Sequence, residues 1–168
     1  ASTQRAVLNF PVSGEPVEPG IVHAFGLIKW AAAITNGELG HVPKDKTELI
    51  ERIAREVCEG KLDAHFPVDV YQTGSGTSTN MNANEVIANR ASQLAGTPIG
   101  SREPIHPNDH VNQGQSSHDT FPTAMHIAAG LRLQNPLIPA LEQPQTPLAP
   151  KATEVHGAPQ SGSTHLMD

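Results

Sequence analysis

Between Tyr71 and Arg90 the chain reads YQTGSGTSTNMNANEVIANR. Gly74 and Gly76 alternate with the hydroxyl residues Thr73, Ser75, Thr77, Ser78 and Thr79, and Asn80, Asn82 and Asn84 follow at every second position. Glycine lets the backbone approach a ligand closely. Hydroxyls and side-chain amides are neutral donors. The start of the amphipathic run that follows offers free N–H groups and the positive end of a helix dipole. This combination suits a small anion, most simply a carboxylate. The same residue types also cap helices in plain surface loops, so the pattern alone leaves both readings open.

Two further clusters have similar chemistry. His106-Pro107-Asn108-Asp109-His110 leads into Asn112, Gln113, Gly114, Gln115, Ser116, Ser117, His118 and Asp119, and Thr164-His165 stands near the end. None of the three clusters, Gly74–Asn84, His106–Asp119 and Thr164–His165, contains Lys or Arg. Neutral donors aimed at a developing charge stabilise a transition state. A histidine beside them moves protons near neutral pH. Nine histidines raise the question of a metal, but no HExxH or CxxC spacing occurs, and no metal or other cofactor is expected. Ser116-Ser117-His118-Asp119 are chain neighbours, whereas hydrolytic triads are assembled from separate elements. No Lys follows the glycines, which argues against a phosphate loop.

These clusters must be carried by helices. A stripe of Ile21, Val22, Phe25, Ile28, Ala32 and Ala33 predicts a helix from Ile21 to about Leu39, stopped by Gly40. The cleanest helix lies between Pro43 and Gly60, with Leu49, Ile50, Ile53, Ala54, Val57 and Cys58 on one face. A third runs from about Thr79 to Ala95, ended by Gly96. A fourth runs from about Asp119 to Leu133, with Asp119 as N-cap, Pro122 in the first turn, and Met125, Ala128, Ala129 and Leu133 buried. Residues 1–20 and 61–72 read as irregular or extended. Beyond Asn135, prolines at 136, 139, 144, 147, 150 and 159 argue against any long continuous helix.

The length of 168 residues supports a domain with a real core. A net charge of -6 with no basic, aromatic-interleaved patch argues against a nucleic-acid partner. Aromatic residues make up only 4%, so the core rests on Leu, Ile, Val and Ala. The single cysteine, Cys58, excludes an internal disulfide and reads as a small buried hydrophobe. No apolar run approaches the ~20 residues that span a bilayer, and no membrane partner is expected. The ends, Ala1-Ser2-Thr3 and His165-Leu166-Met167-Asp168, do not read as natural termini, so a piece of a longer chain is expected.

TGSGTSTNMNANEVIANRA (73–91) resembles the first signature of the fumarase/aspartase superfamily, and HPNDHVNQGQSSHDTFPTAMHIA (106–128) its second. GSTHLMD (162–168) is similar to the family's Thr-His segment, in the same order. STQRAVLNFP and FPVDVYQTGSGT look like class II fumarase as well. The resemblance implies a mainly α fold: an N-terminal helical domain over 1–134 and, over 135–168, the beginning of a central helical bundle that is largely missing. It implies reversible hydration of fumarate to (S)-malate in the tricarboxylic acid cycle, by a homotetramer, in the cytoplasm or, in a eukaryote, the mitochondrial matrix. By resemblance Ser75, Gly76 and Thr77 hold a substrate carboxylate, Ser116, Ser117 and His118 bind substrate further, Thr164 binds beside them, and His165 takes part in proton transfer. His106, Pro107, Asn108 and Asp109 match a second dicarboxylate site.

Thr73 and Ser75 are similar to fumarases, since aspartases tend to carry Gly and Ala there; aspartate ammonia-lyase is the runner-up. The departures favour a third reading, a non-catalytic relative. His118 stands where the family usually has Asn, and Ser163 where an Arg is common. The family's mobile Gly-Ser-Ser-x-Met-Pro-x-Lys-x-Asn loop, which carries the serine base and a substrate-binding lysine, is absent from the chain. The isolated 168 residues are therefore expected to show no hydratase turnover when fumarate absorbance is followed; robust turnover would overturn that expectation.

Overall fold

The computed structural model describes residues 2–159. The fold is mainly α, and its described residues contain six α-helices: α1 (Ser2–Asn9), α2 (Pro19–Glu38), α3 (Lys44–Cys58), α4 (Thr77–Ala95), α5 (Ser117–Arg132) and α6 (Ile138–Glu154). They contain no strand; an isolated antiparallel bridge pairs Pro16 with Asp69. No helix among them is long and apolar enough to cross a membrane. The chain divides into two compact units, 1–129 and 130–168.

In the first unit, α2 and α3 form an antiparallel pair behind α4. Pro19 begins α2, where its fixed φ and missing N–H cost nothing. Gly40, at φ +74°, follows the end of α2 and donates to the Gly37 carbonyl. Pro43 and Gly60 flank α3 as the sequence predicts. Its face of Ile50, Ile53, Ala54 and Val57 is fully buried against Phe25 and Val22 of α2 and Ile87 of α4. Burying each large aliphatic side chain contributes roughly 1.5–3 kcal/mol. Phe25 meets Phe121 of α5 at 6.1 Å between ring centroids.

Gly26 and Gly37, which weaken α2 by propensity, let α3 come close. A Cβ on Gly26 would stand 2.8 Å from the Cys58 nitrogen and sulfur, and one on Gly37 2.8 Å from Thr47 Cγ2. Cys58 is half-buried, and burial pushes its thiol pKa up. It acts as packing.

Three expectations are corrected. Residues 1–20 are not wholly irregular, because α1 is capped from a distance. The backbone N–H groups of Ser2 and Thr3 and the Thr3 hydroxyl donate to the Glu85 carboxylate of α4, at 2.6, 3.0 and 2.7 Å. No local sequence signal could reveal a cap supplied from 83 residues away. In α5 the first turn begins at Ser117, so Asp119 lies inside the helix and Ser116 does the capping. Its buried face is Thr120, Ala124 and Ala128; Met125, Ala129 and Leu133 are exposed.

In the second unit, α6 forms despite its prolines. A wide π turn over Leu133–Leu137, closed by the Ile138 N–H on the Leu133 carbonyl, takes in Pro136. Pro139 falls in the first turn of α6, where a missing N–H is harmless. Pro144, Pro147 and Pro150 recur every third residue, so their rings keep to one side and the ladder survives on the other. The helix has no buried residue.

G26A should lower stability. The substitution gains up to about 1 kcal/mol of helix propensity. Overpacking against rigid α3 backbone costs about 1–3 kcal/mol. A urea midpoint below that of the unsubstituted chain is the expected result.

Candidate functional site

The Thr73–Thr77 loop is held from both ends. On the upstream side, Asp69 accepts from the backbone N–H groups of Ser13, Gly14 and Tyr71, each at 2.8 Å, and from the Ser13 hydroxyl. Partial desolvation pushes that carboxyl pKa up, but the four donors prevail and hold it at about 2. On the downstream side, Gln72 takes the Thr79 N–H on its Oε1 at 3.0 Å and donates to the Thr79 hydroxyl at 2.6 Å. Gln72 thus caps α4 with a side chain, a role that its type did not announce.

Gly76 is the pivot. At φ +68° it occupies the left-handed region, and a Cβ there would overlap the Phe121 ring of α5. The first turn of α4 is thereby brought against the first turn of α5. The N–H groups of Ser75, Thr77 and Ser78 find no acceptor among the described residues. The buried Thr73 hydroxyl has no hydrogen-bond partner among the described residues. Opposite them, Ser116 caps α5: its carbonyl accepts from Asp119 and Thr120, and its Oγ from the His118 N–H at 3.3 Å. Pro122 lacks the N–H that would bond the His118 carbonyl in a regular helix. The loop that carries Ser75, Gly76 and Thr77 thus meets α5 at Phe121, while Ser116, Ser117 and His118 stand at the start of that helix. His118 is exposed, and Thr164 and His165 lie outside the described residues.

The three asparagines that follow are corrected from ligand donors to internal struts. Asn80, Asn82 and Asn84 are all buried within α4. Asn82 donates to the His65 carbonyl at 3.0 Å. Asn80 and Asn84 both donate to Asn112 Oδ1, at 3.0 and 3.1 Å. The residue that the sequence reading missed sits among them. Lys29 of α2 is 0% exposed, and its ammonium donates to Asn80 Oδ1 at 2.7 Å, Asn112 Oδ1 at 3.1 Å and Gln115 Oε1 at 2.9 Å. A signal was available: Lys29 lies four residues after Phe25 and four before Ala33, on the apolar stripe itself.

His106–Asp109 forms a different place. The segment read as a turn is one π-helical turn, Pro107–Val111, begun by His106. His106 Nδ1 accepts from the Asn108 and Asp109 N–H groups at 3.3 and 3.1 Å, which leaves its Nε2 as the donor. His110 Nδ1 accepts from the His106 N–H at 2.8 Å, and burial, reinforced by Lys46, lowers the His110 pKa. A cavity of ≈ 210 Å³ opens here, lined by Arg5, Arg102, His106, Pro107 and Asn108 among others. It lies along the Met81–Glu85–Asn89 side of α4, away from the Thr73–Thr77 loop.

A family model described as "Lyase" matches residues 1–168. Fumarate hydratase class II 1 of Pseudomonas aeruginosa is 51% identical over 168 residues, covering 100% of this chain and 36% of its own. The mitochondrial fumarate hydratase of Saccharomyces cerevisiae is 51% identical over 170 residues, covering 100% of this chain and 35% of its own. A solved fumarate lyase:delta crystallin of Brucella melitensis, bound to cobalt, superposes with a TM-score of 0.87 at 41% identity, over 99% of this chain and 36% of that one. The chain thus spans about a third of the length of the curated relatives it matches.

G76A should damage both stability and site. A non-glycine residue held in the left-handed region costs about 1–2 kcal/mol before any clash is counted. The added methyl also forces Phe121 aside. A lowered thermal midpoint, with weakened binding of a dicarboxylate such as succinate in calorimetry, is the expected outcome.

Proposed function

The chain belongs to the lyase family, and from that premise we propose that it is the N-terminal part of a class II fumarate hydratase, which hydrates fumarate reversibly to (S)-malate. The observation that carries this reading is the contact of Gly76, at the start of α4, with Phe121 of α5, beside N–H groups of Ser75, Thr77 and Ser78 that find no acceptor among the described residues. The curated fumarate hydratases that align over the whole chain support it. So does Thr73-Gly74-Ser75-Gly76-Thr77, which resembles fumarases rather than aspartases.

In the proposed site, Ser75, Gly76 and Thr77 hold one substrate carboxylate. Ser116, Ser117, His118 and Thr164 bind around the rest of the molecule. In the dehydration of malate, a base takes the C3 proton and the electron pair passes into the adjacent carboxylate. The resulting aci-carboxylate carries more negative charge than the ground state. Helix dipoles and preorganised N–H donors stabilise it, and they undergo no reorganisation as the charge develops. Hydroxide then leaves with help from an acid. His165 takes part in proton transfer. The serine base expected from the family resemblance belongs to a loop outside these residues.

The remaining parts of the reading follow the same resemblance. His106, Pro107, Asn108 and Asp109 form a second dicarboxylate site. Residues 1–134 belong to the N-terminal helical domain and 135–168 to the central helical domain. The whole protein is a homotetramer of the cytoplasm, or of the mitochondrial matrix in a eukaryote, and needs no cofactor.

The test is a side-by-side assay of the full-length protein on malate and on aspartate. Turnover of malate at least 100-fold above that of aspartate is expected. S75A should raise the KM for fumarate by roughly 10- to 100-fold, since a hydrogen bond to a charged group contributes about 1.5–3 kcal/mol. Preference for aspartate would overturn the assignment.

A further inference from the structure

Lys29 is the most anomalous group in the described chain. A buried ammonium normally sits against a carboxylate, because several kcal/mol of lost hydration must be offset. Lys29 has none among the described residues. Its three partners are the neutral carbonyl oxygens of Asn80, Asn112 and Gln115. Each belongs to a segment that ends at the proposed dicarboxylate site. Asn80 lies in the first turn of α4, three residues after Thr77. Gln115 immediately precedes Ser116 and Ser117. Asn80 Oδ1 also accepts from the Thr120 hydroxyl of α5 at 3.1 Å.

The bonds beyond these three point the same way. Asn112 turns its amide to the Gln115 carbonyl at 2.9 Å, and Gln115 turns its own to the Val111 carbonyl at 2.9 Å. An ammonium on the carbonyl end of an amide strengthens the N–H donors at the other end. The positive charge is thus conveyed along two amides into the turn that sets Ser116 and Ser117. The charged and titratable groups on the packed elements stand apart from the network. Glu85 of α4 binds Ser2 and Thr3, His110 binds Lys46 and the His106 N–H, and His118 and Asp119 of α5 are exposed.

We propose that Lys29 is a positioning residue of the dicarboxylate site: its buried ammonium, with no carboxylate partner among the described residues, orders the 112–117 turn and the first turns of α4 and α5, and adds to the counter-charge for a bound dianion. This rests on the reading of the site as one for a dicarboxylate. The wall of Thr73–Thr77 and Ser116–His118 holds no Lys or Arg, and the family resemblance puts a substrate-binding lysine on a loop outside these residues; Lys29 adds a fixed charge one layer below that wall.

Burial lowers the Lys29 pKa from 10.5 to about 7. The free folded protein therefore loses this proton between about pH 7 and 10.5 while the unfolded chain keeps it, and this group's contribution to stability rises with pH across that window. A dianion above the network favours the protonated form, so binding near pH 8 should draw in a proton.

The test uses the full-length protein. Succinate binding is measured by calorimetry at pH 8 in buffers of different ionisation enthalpy, for the unsubstituted protein, K29R and K29M, beside kcat and KM for fumarate from pH 6 to 9. Proton uptake on binding is expected in the unsubstituted protein and its loss in K29R, whose guanidinium stays charged. K29M is expected to raise KM at least tenfold with a smaller effect on kcat, and to flatten the rise of KM above pH 7. Equal proton uptake in the unsubstituted protein and K29R overturns the proposal, and so does a folded K29M with KM within twofold and an unchanged pH profile. If K29M does not fold, the comparison with K29R alone decides. Succinate binding without any fumarate turnover in the unsubstituted protein would instead sink the hydratase assignment and leave the Lys29 comparison readable.

Discussion

A single ammonium group, that of Lys29, holds α2, α4 and the 112–115 turn to one another, and reaches α5 through Asn80 and Thr120. Its partners are all neutral, so nothing cancels its charge locally. Asn112 Oδ1 alone takes three donors, from Lys29, Asn80 and Asn84. Removing one member of such a network leaves others buried and unsatisfied, which costs more than the bond itself was worth. The position of the Ser116–Ser117 segment relative to the Thr73–Thr77 loop depends on that network as much as on apolar packing.

Packing contributes a second constraint, close approach. Gly26 and Gly37 allow α3 to press its Ile50–Ile53–Val57 face onto α2, and Gly76 allows Phe121 to press onto the loop before α4. Helix propensity alone would disfavour each glycine in α2. Tertiary packing reverses that judgement, because a methyl group at either site would meet Cys58 or Thr47 at less than van der Waals distance. The same close fit sets the start of α4 against Phe121 of α5.

The electrostatic design of the site follows from these constraints. Its surface donors are neutral hydroxyls and backbone N–H groups, which exchange water for fixed dipoles with little penalty. The cation is kept beneath them, where it lends charge without forming a direct ion pair. The second cluster, around His106, is built differently, with imidazoles, Arg5 and Arg102 about an open cavity. These two places lie on different sides of α4, so one helix carries both.

The sequence by itself determined the helices that have their own punctuation. Pro43 and Gly60 bound α3, Gly96 ends α4, and the period of Ile50, Ile53 and Val57 marks the buried face, because these signals act within a few residues. It also marked Ser75–Thr77 and Ser116–His118 as unusual, since Gly and hydroxyl residues bunched before an apolar run have a local meaning. Only the tertiary structure decided the rest. α1 depends on Glu85, a cap brought from a distant helix. Asn80, Asn82 and Asn84 look like ligand donors in the chain and prove to be struts, because α4 is covered on more than one side: Asn80 and Asn84 meet Asn112, and Asn82, about 200° around the helix, meets the His65 carbonyl. Lys29 lies on the apolar stripe of α2, but only the fold shows which carbonyl oxygens receive its ammonium. Local sequence specifies backbone conformation, but which polar group is desolvated, and against what, depends on residues 51 to 86 positions away.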